Sequence, residues 1–153
     1  MRNLTFHVES WFRAAEEMSA LWPLHWPEIA GNKDKVPLDV HIVEYEKLDE
    51  TGQLLICTAR YNGKLVGYHW SIIRPHLHYQ STLHAFTDIH YLLPEYRVGM
   101  NGLLLIKFFE KAAEDRGVRK AFITSKVKND HSKIFERLDW VFTERVYSKM
   151  LGE

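Results

Sequence analysis

The chain has 153 residues and a mass of 18.1 kDa, room for one domain, 1–153, and little else. A hydrophobic share of 46% excludes intrinsic disorder and a fibrous repeat. Twenty basic and twenty acidic residues cancel to a pI near 7.1, which excludes a protein dedicated to coating nucleic acid and gives no strong nucleic-acid signal.

The opening run from Met1 to His7 lacks the apolar core of a signal peptide. No stretch approaches the ~18 apolar residues that span a bilayer, so no membrane partner is expected. Cys57 is the only cysteine, which excludes an intrachain disulfide. Together these features fit a soluble protein of a reducing compartment, the cytoplasm.

Leu4 to Val8 alternates weakly and reads as a first strand. Trp11, Phe12, Ala15, Met18 and Leu21-Trp22 recur at helical spacing behind Ser10 as N-cap, and Pro23 and Pro27 stop or kink that helix. Ala30 to Lys35 is a polar loop, and Val36 to Leu48 fits a helix or a strand equally well. Leu54 to Tyr61 and Leu65 to Ile73 form a hairpin across Asn62-Gly63, a pair suited to two positive φ angles. Pro75 to Ser81 reads as a loop and Leu83 to Leu93 as a third strand closed by Pro94. A helix opens at Gly102, with Leu105, Phe108, Phe109 and Ala112 facing a core, and Gly117 closes it. Ala121 to Ser125 is a short strand and His131 to Leu138 a short helix. Val141 to Leu151 completes the pattern as two strands or one bent strand. The fold class is mixed α/β.

The stretch from Asp88 to Gly102 joins a strand to a helix through a short glycine-containing loop. Such a junction points free backbone N–H groups and the positive end of a helix dipole at an anion, so a pyrophosphate needs no lysine there. The other reading is a tight turn that uses glycine for geometry alone. The stretch resembles the acetyl-CoA-binding region of the GNAT family, the Gcn5-related N-acetyltransferases. That family has a hydrophobic-x-Pro-x-x-Arg/Gln-x-x-Gly-x-Gly/Ala loop between strand and helix, and Pro94, Arg97 and Gly102 match its proline, first and last positions. Lys64 to Tyr68 after Asn62-Gly63 resembles the family's "dGklvGy" turn, Ile134 to Trp140 its "lyeklGF" segment, and Val146 to Leu151 its closing strand. The likeness runs from about Leu54 to Leu151 and is weak before that. Arg74 to Tyr79 also resembles small GNAT-like proteins encoded by tailed bacteriophages, which would place the protein in the host cytoplasm.

The resemblance implies a central, mostly antiparallel sheet splayed between the Asp88 strand and the Ala121 strand, flanked by helices. It implies acetyl-CoA as co-substrate, a primary amine of a protein or small molecule as acceptor, and homodimers as a common assembly. Arg97, Val98, Gly99, Met100, Asn101 and Gly102 would hold the pyrophosphate, and the backbone of Tyr91, Leu92 and Leu93 the pantetheine arm. Asp88 stands nine residues before Arg97, where a number of GNAT enzymes keep a general base. Flanked by Phe86 and Ile89, it is expected to be partly desolvated, which suits a base. It reads equally as a structural carboxylate bonded to loop N–H groups or histidines. His90, two residues on, is expected to share its strand face and form a catalytic pair with it, the alternative being a merely hydrogen-bonded histidine.

Two departures stand out. Met100 occupies a position where the family usually has glycine, with Gly99 one residue early. If the loop binds phosphate, Met100 should point into the core beside Leu103 and Leu104 with negative φ. Phe135 replaces a tyrosine that in many members protonates the leaving thiolate, so another acid or water would be needed. These departures favour the rival reading, a catalytically weak or inactive binding or virion-associated module. Of the nine histidines, His76, His78, His84 and His90 have no carboxylate or cysteine set completing four ligands, and no metal site is expected. Trp11, Trp22 and Trp26 read as core, with Trp22 and Trp26 at the edge of an acceptor cleft. Lys126 and Lys128 either meet the CoA phosphates or are simply solvated, and Cys57 reads as inert core.

Overall fold

A computed structural model describes residues 3–152; Met1 and Arg2, which open the N-terminal run read above, lie outside the described residues, as does Glu153. Five strands stand in the order β1 (Thr5–Glu9), β2 (Leu54–Tyr61), β3 (Lys64–His76), β4 (Tyr79–Leu92) and β5 (Lys120–Phe122). Every neighbouring pair is antiparallel except β4 with β5, which is parallel. Residues 54–59 of β2 and 65–71 of β3 are buried without a break, because helices cover both faces of the sheet. Helix α4 (Asn101–Asp115) lies on one face, its Phe109 ring 4.0 Å from that of His69. On the other face α1 (Trp11–Ser19), α2 (Trp22–Ile29) and α3 (Ile42–Glu50) gather around Trp70, to which Trp11 presents an edge at 6.1 Å.

Local chemistry explains most of these elements. Ser10 Oγ accepts the Arg13 N–H at 3.3 Å, and Trp11, Ala14 and Met18 bury one stripe of α1. Pro23 does not stop a helix; it opens α2, at a position where a missing N–H costs nothing, and exposed Pro27 sits inside it. The ambiguous Val36–Leu48 segment resolves into an irregular stretch and then α3, whose N-cap is the His41 imidazole accepting from Glu44 N–H at 3.3 Å. Asn62 and Gly63 both have positive φ, 50° and 81°, as the β2–β3 turn requires.

Two expectations are corrected. Pro75 to Ser81 is not a loop: β3 runs on to His76, with Pro75 opposite Leu83, and β4 begins at Tyr79. Beyond Ile72, where β2 ends, β3 is an edge strand, and an edge tolerates proline. Val141 to Leu151 forms no strand; Val141, Phe142, Val146, Tyr147 and Leu151 are all at least 76% exposed. β5, three residues long and ending at Phe122, offers no ladder to extend.

At the far edge Arg60 bridges Glu9 and Glu17 at 2.9 Å and 2.8 Å. Burial alone would raise the Glu9 carboxyl, but the Arg60 guanidinium and the Thr58 hydroxyl hold it below its ordinary range. The feature that positions the site lies opposite. β4 and β5 pair only over His84–Phe86 and Lys120–Phe122. From Thr87 onward β4 has no neighbour on that side, and a gap opens in the sheet.

Candidate functional site

The register of β3 against β4 slips at two points, between Pro75 and His76 near the strand tip and between Trp70 and Ser71 in mid-sheet. Trp70 faces Ile89 and Ser71 faces Thr87, so Asp88 is an extra residue with no partner: a β-bulge. The bulge turns the Asp88 carboxylate toward α3. There Oδ2 accepts the Trp70 indole N–H at 2.6 Å and the Tyr45 hydroxyl. Among the described residues Oδ1 receives no hydrogen bond, and Asp88 is exposed rather than desolvated between Phe86 and Ile89 as expected.

The pairing of Asp88 with His90 is not found. The extra residue breaks the two-residue alternation, so His90 faces the α4 side of the sheet, opposite His69. Its ring lies 5.4 Å from that of His131 and 6.0 Å from that of Phe135, in α5 (Ser132–Glu136) and just before it. Burial, then the neighbouring His131, pushes His90 down to about 4.

Two cavities meet at the bulge. One, of about 340 Å³, lies between α2, α3 and the β3–β4 face. The other, of about 260 Å³, fills the gap beside β4 and runs to the start of α4 and to α5. His25, Ile29, Asp88 and Ile89 line both. Asp88 therefore stands where a group in one cavity can reach a group in the other. His25 Nδ1 shares a hydrogen bond with the Tyr68 hydroxyl at 2.9 Å, and its ring stacks on Tyr91 at 4.3 Å. Burial, reinforced by repulsion that a protonated ring would meet from His90, Arg97 and His131, pushes it down to about 3. His69 is fully buried and also held well below its ordinary value by burial, and its Nδ1 has no partner. All three imidazoles are neutral near pH 7.

The loop at the far end of the second cavity passes through Pro94–Tyr96, a single 3-10 turn, and enters α4. Among the described residues the backbone amides of Val98, Gly99, Met100, Gly102 and Leu103 find no acceptor. They form an anion cradle at a helix N-terminus. Gly99 supplies the left-handed turn with φ 58°, so Met100 keeps φ at −102°. Met100 does not enter the core: it is 54% exposed and lines the cavity mouth. With the left-handed position taken by Gly99, Met100 sits at the N-cap, outside the buried stripe of α4. Asn101 is buried and donates from Nδ2 to Tyr96 O at 3.0 Å, a scaffolding bond.

Arg97 is not free to face an anion. Its Nε donates to Leu92 O at 2.6 Å, and its guanidinium holds both Glu28 oxygens of α2, at 2.9 Å and 2.8 Å. Tyr91, Leu92 and Leu93 are buried, and the Leu93 N–H is engaged with Val66 O at 2.9 Å. The Leu92 carbonyl and the Leu93 amide are therefore unavailable to an added strand, whereas the edge of β4 from Thr87 onward is open. Exposed Lys126 lines the cavity and Lys128 does not. Trp22 and Trp26 line the first cavity, and Phe135 lines the second.

Several site residues had no distinctive signal in the sequence. Tyr45 and Trp70 reach Asp88 only because β4 bulges, and His25, Glu28 and His131 come together only through the tertiary fold. His76, His78 and His84 cluster with Tyr79 at the β3–β4 tip. No group of three or more His, Cys, Asp or Glu among the described residues is placed to hold a metal ion. Burial pushes the Cys57 thiol up to about 12, and no described helix is long and apolar enough to cross a membrane.

The profile of the Acetyltransferase (GNAT) family matches residues 11–140, most of the chain. The chain belongs to the GNAT family. Compared with the curated proteins, the sequence matches none. Among solved structures, the GNAT domain here is similar to the ribosomal-protein-alanine N-acetyltransferase of Brucella melitensis biovar Abortus 2308, at 20% identity and a TM-score of 0.71 over 98% of this chain and 100% of that one. It is similar to AAC(6')-Iy in complex with the bisubstrate analogue CoA-S-monomethyl-acetylneamine, at 20% identity and a TM-score of 0.74 over 97% of each chain. A transcriptional regulator from Bacillus halodurans C-125 superposes with a TM-score of 0.76 at 18% identity, over 97% of this chain and 100% of that one. At these identities the likeness is one of fold: a mixed α/β GNAT fold with a five-stranded, mostly antiparallel sheet.

Proposed function

We propose that the chain is an N-acetyltransferase that moves acetyl from acetyl-CoA to a primary amine in a ternary complex, as one domain. The observation that carries this reading is the placement of Asp88 in the wall shared by two cavities. One of these ends in the amide cradle of residues 98–103, which suits a pyrophosphate. Its walls along the open edge of β4 suit an extended thioester arm. The amine then approaches from the other cavity. Asp88, oriented by Tyr45 and Trp70, removes its proton directly or through one water. The nitrogen lone pair adds to the thioester carbonyl carbon, the N–C bond forms, and the C–S bond breaks with its electron pair on CoA. Holding both reactants supplies the larger share of the acceleration.

Phe135 cannot donate a proton, so the thiolate takes one from water or from the ammonium-derived proton held at Asp88. AAC(6')-Iy has been seen with a CoA-containing analogue, which supports acetyl-CoA as the co-substrate here. The likeness of Arg74–Tyr79 to phage-encoded GNAT-like proteins, and with it action in a host cytoplasm, belongs to the same proposal. Phe135 and the Glu28-bound Arg97 favour a second reading, a binding module without turnover. Release of CoA thiol from acetyl-CoA in the presence of an amine panel separates the two. Amine-dependent thiol release supports the enzyme, and acetyl-CoA binding with no release for any amine supports the module.

A further inference from the structure

The cavity between α2, α3 and the β3–β4 face has a chemistry of its own. Trp22 and Trp26 of α2 line it together with Leu38, Tyr45, Trp70 and Ile89. The polar ends of Tyr45 and Trp70 are already engaged, because the Trp70 N–H and the Tyr45 hydroxyl both donate to Asp88 Oδ2. Ring surface is what they offer a ligand. His25 is turned to Tyr68 and stacked on Tyr91, and in its neutral form it sets no positive charge against an ammonium group. Asp39, Glu44 and Asp88 all line the cavity and are all exposed, and Asp88 is the one whose carboxylate is fixed by the Trp70 N–H and the Tyr45 hydroxyl. A polyhydroxylated polycation enclosed here would press most of its hydroxyl groups against ring faces and aliphatic walls that offer few hydrogen-bond acceptors. A single ammonium beside Asp88, carried on a flat apolar body, matches both the charge and the walls. The volume of about 340 Å³ holds a ring and a short arm, near the lower end for small-molecule sites.

We propose that this cavity is the acceptor subsite for a monoamine with an aromatic or comparably apolar body, its nitrogen directed at Asp88 and its body held between Trp26 and Leu38. The proposal rests on the acetyltransferase reading above. The transfer balances: the ammonium gives one proton to Asp88, the nitrogen bonds the acetyl carbon as the C–S bond breaks, and the second proton leaves the nitrogen through water to the departing CoA thiolate, which is released as the thiol.

The test compares phenethylamine, spermidine, neamine and a lysine-containing peptide as acceptors for the full chain, by thiol release. Acetyl-CoA binding is measured separately by calorimetry, and phenethylamine binding by quenching of tryptophan fluorescence. Phenethylamine is expected to give a kcat/KM at least about tenfold above the other three. Trp26→Ala is expected to raise its KM about tenfold while leaving acetyl-CoA affinity unchanged. Should that variant fail to fold, Leu38→Glu at the 43%-exposed rim is expected to shift the preference toward spermidine. The proposal is overturned if spermidine, neamine or the peptide is used as well as phenethylamine. It is equally overturned if phenethylamine gives no saturable quenching. Saturable phenethylamine quenching with no acetyl-CoA heat would keep the apolar-amine site and remove the acetyltransferase reading beneath it.

Discussion

Acidification from about pH 7.5 to about pH 5 should strip stability from this fold through its buried and half-buried imidazoles, before any carboxylate is involved. His25 is 2% exposed and is pushed by burial from 6.5 down to about 3, and His90 is pushed from 6.5 down to about 4. Both native values are depressed, so the unfolded chain binds more protons through this window. The associated stability is complete above about pH 6.5 and falls as the pH drops toward the native values. At about pH 5 each unfolded imidazole is almost fully protonated and each native one almost bare, a difference of roughly 2 kcal/mol per residue. The pair then removes roughly 4 kcal/mol, a large part of the ~5–15 kcal/mol of a typical domain. His69, shifted the same way, adds to it. Glu9 and Glu17 are held below their ordinary 4.5, so their losses begin at lower pH and do not blur the window. Urea unfolding followed by tryptophan fluorescence at a series of pH values reads the effect directly. His90→Phe, which keeps a ring against His69 and Phe135, should remove roughly 2 kcal/mol of the drop. A stability that stays flat between about pH 7.5 and about pH 5 would refute the assignment of these histidines as buried or half-buried and neutral.

Other outcomes follow from single contacts. Asp88→Asn should lower kcat/KM for the amine by about a hundredfold or more while acetyl-CoA affinity, measured by calorimetry, stays within a few-fold. Gly67→Ala should cost roughly 2–4 kcal/mol in urea unfolding, because a Cβ there would stand 2.7 Å from both the Tyr91 carbonyl oxygen and Leu92 Cδ1 on the neighbouring β4. Met100→Gly should leave acetyl-CoA affinity within a few-fold, since Met100 is exposed at the mouth rather than pressed on the cradle; a tenfold gain, about 1.4 kcal/mol, would show instead that it blocks the site.

The strand and helix order was legible wherever the signal was local. Asn62-Gly63 announced its turn through paired positive φ angles, Ser10 announced α1, and the proline and glycines after Leu93 announced the junction into α4. What stayed hidden is non-local. The bulge at Asp88 appears only when β4 is paired with β3, and that one extra residue separates Asp88 from His90. Tyr45 and Trp70, the partners of Asp88, lie 43 and 18 residues away from it in sequence. Arg97 matched the family loop by position, yet its side chain is held by Glu28 of α2, a partner 69 residues distant. Val146 to Leu151 carries an apolar pattern suited to a strand, but a strand also needs a neighbour, and the short β5 supplies none.

The central claim is that the backbone amides of Val98, Gly99, Met100, Gly102 and Leu103 receive the pyrophosphate of acetyl-CoA. Calorimetric titration of acetyl-CoA into the full chain, beside Gly102→Val, tests it most directly. A Cβ at Gly102 would meet only Ile134 Cδ1, at 3.7 Å, so the variant should fold while its methyl groups crowd the cradle. The expected result is saturable one-to-one binding with a Kd below about 100 μM for the native chain, weakened at least tenfold in the variant. No heat from the native chain up to about 1 mM acetyl-CoA, or equal affinity in both proteins, would contradict the account.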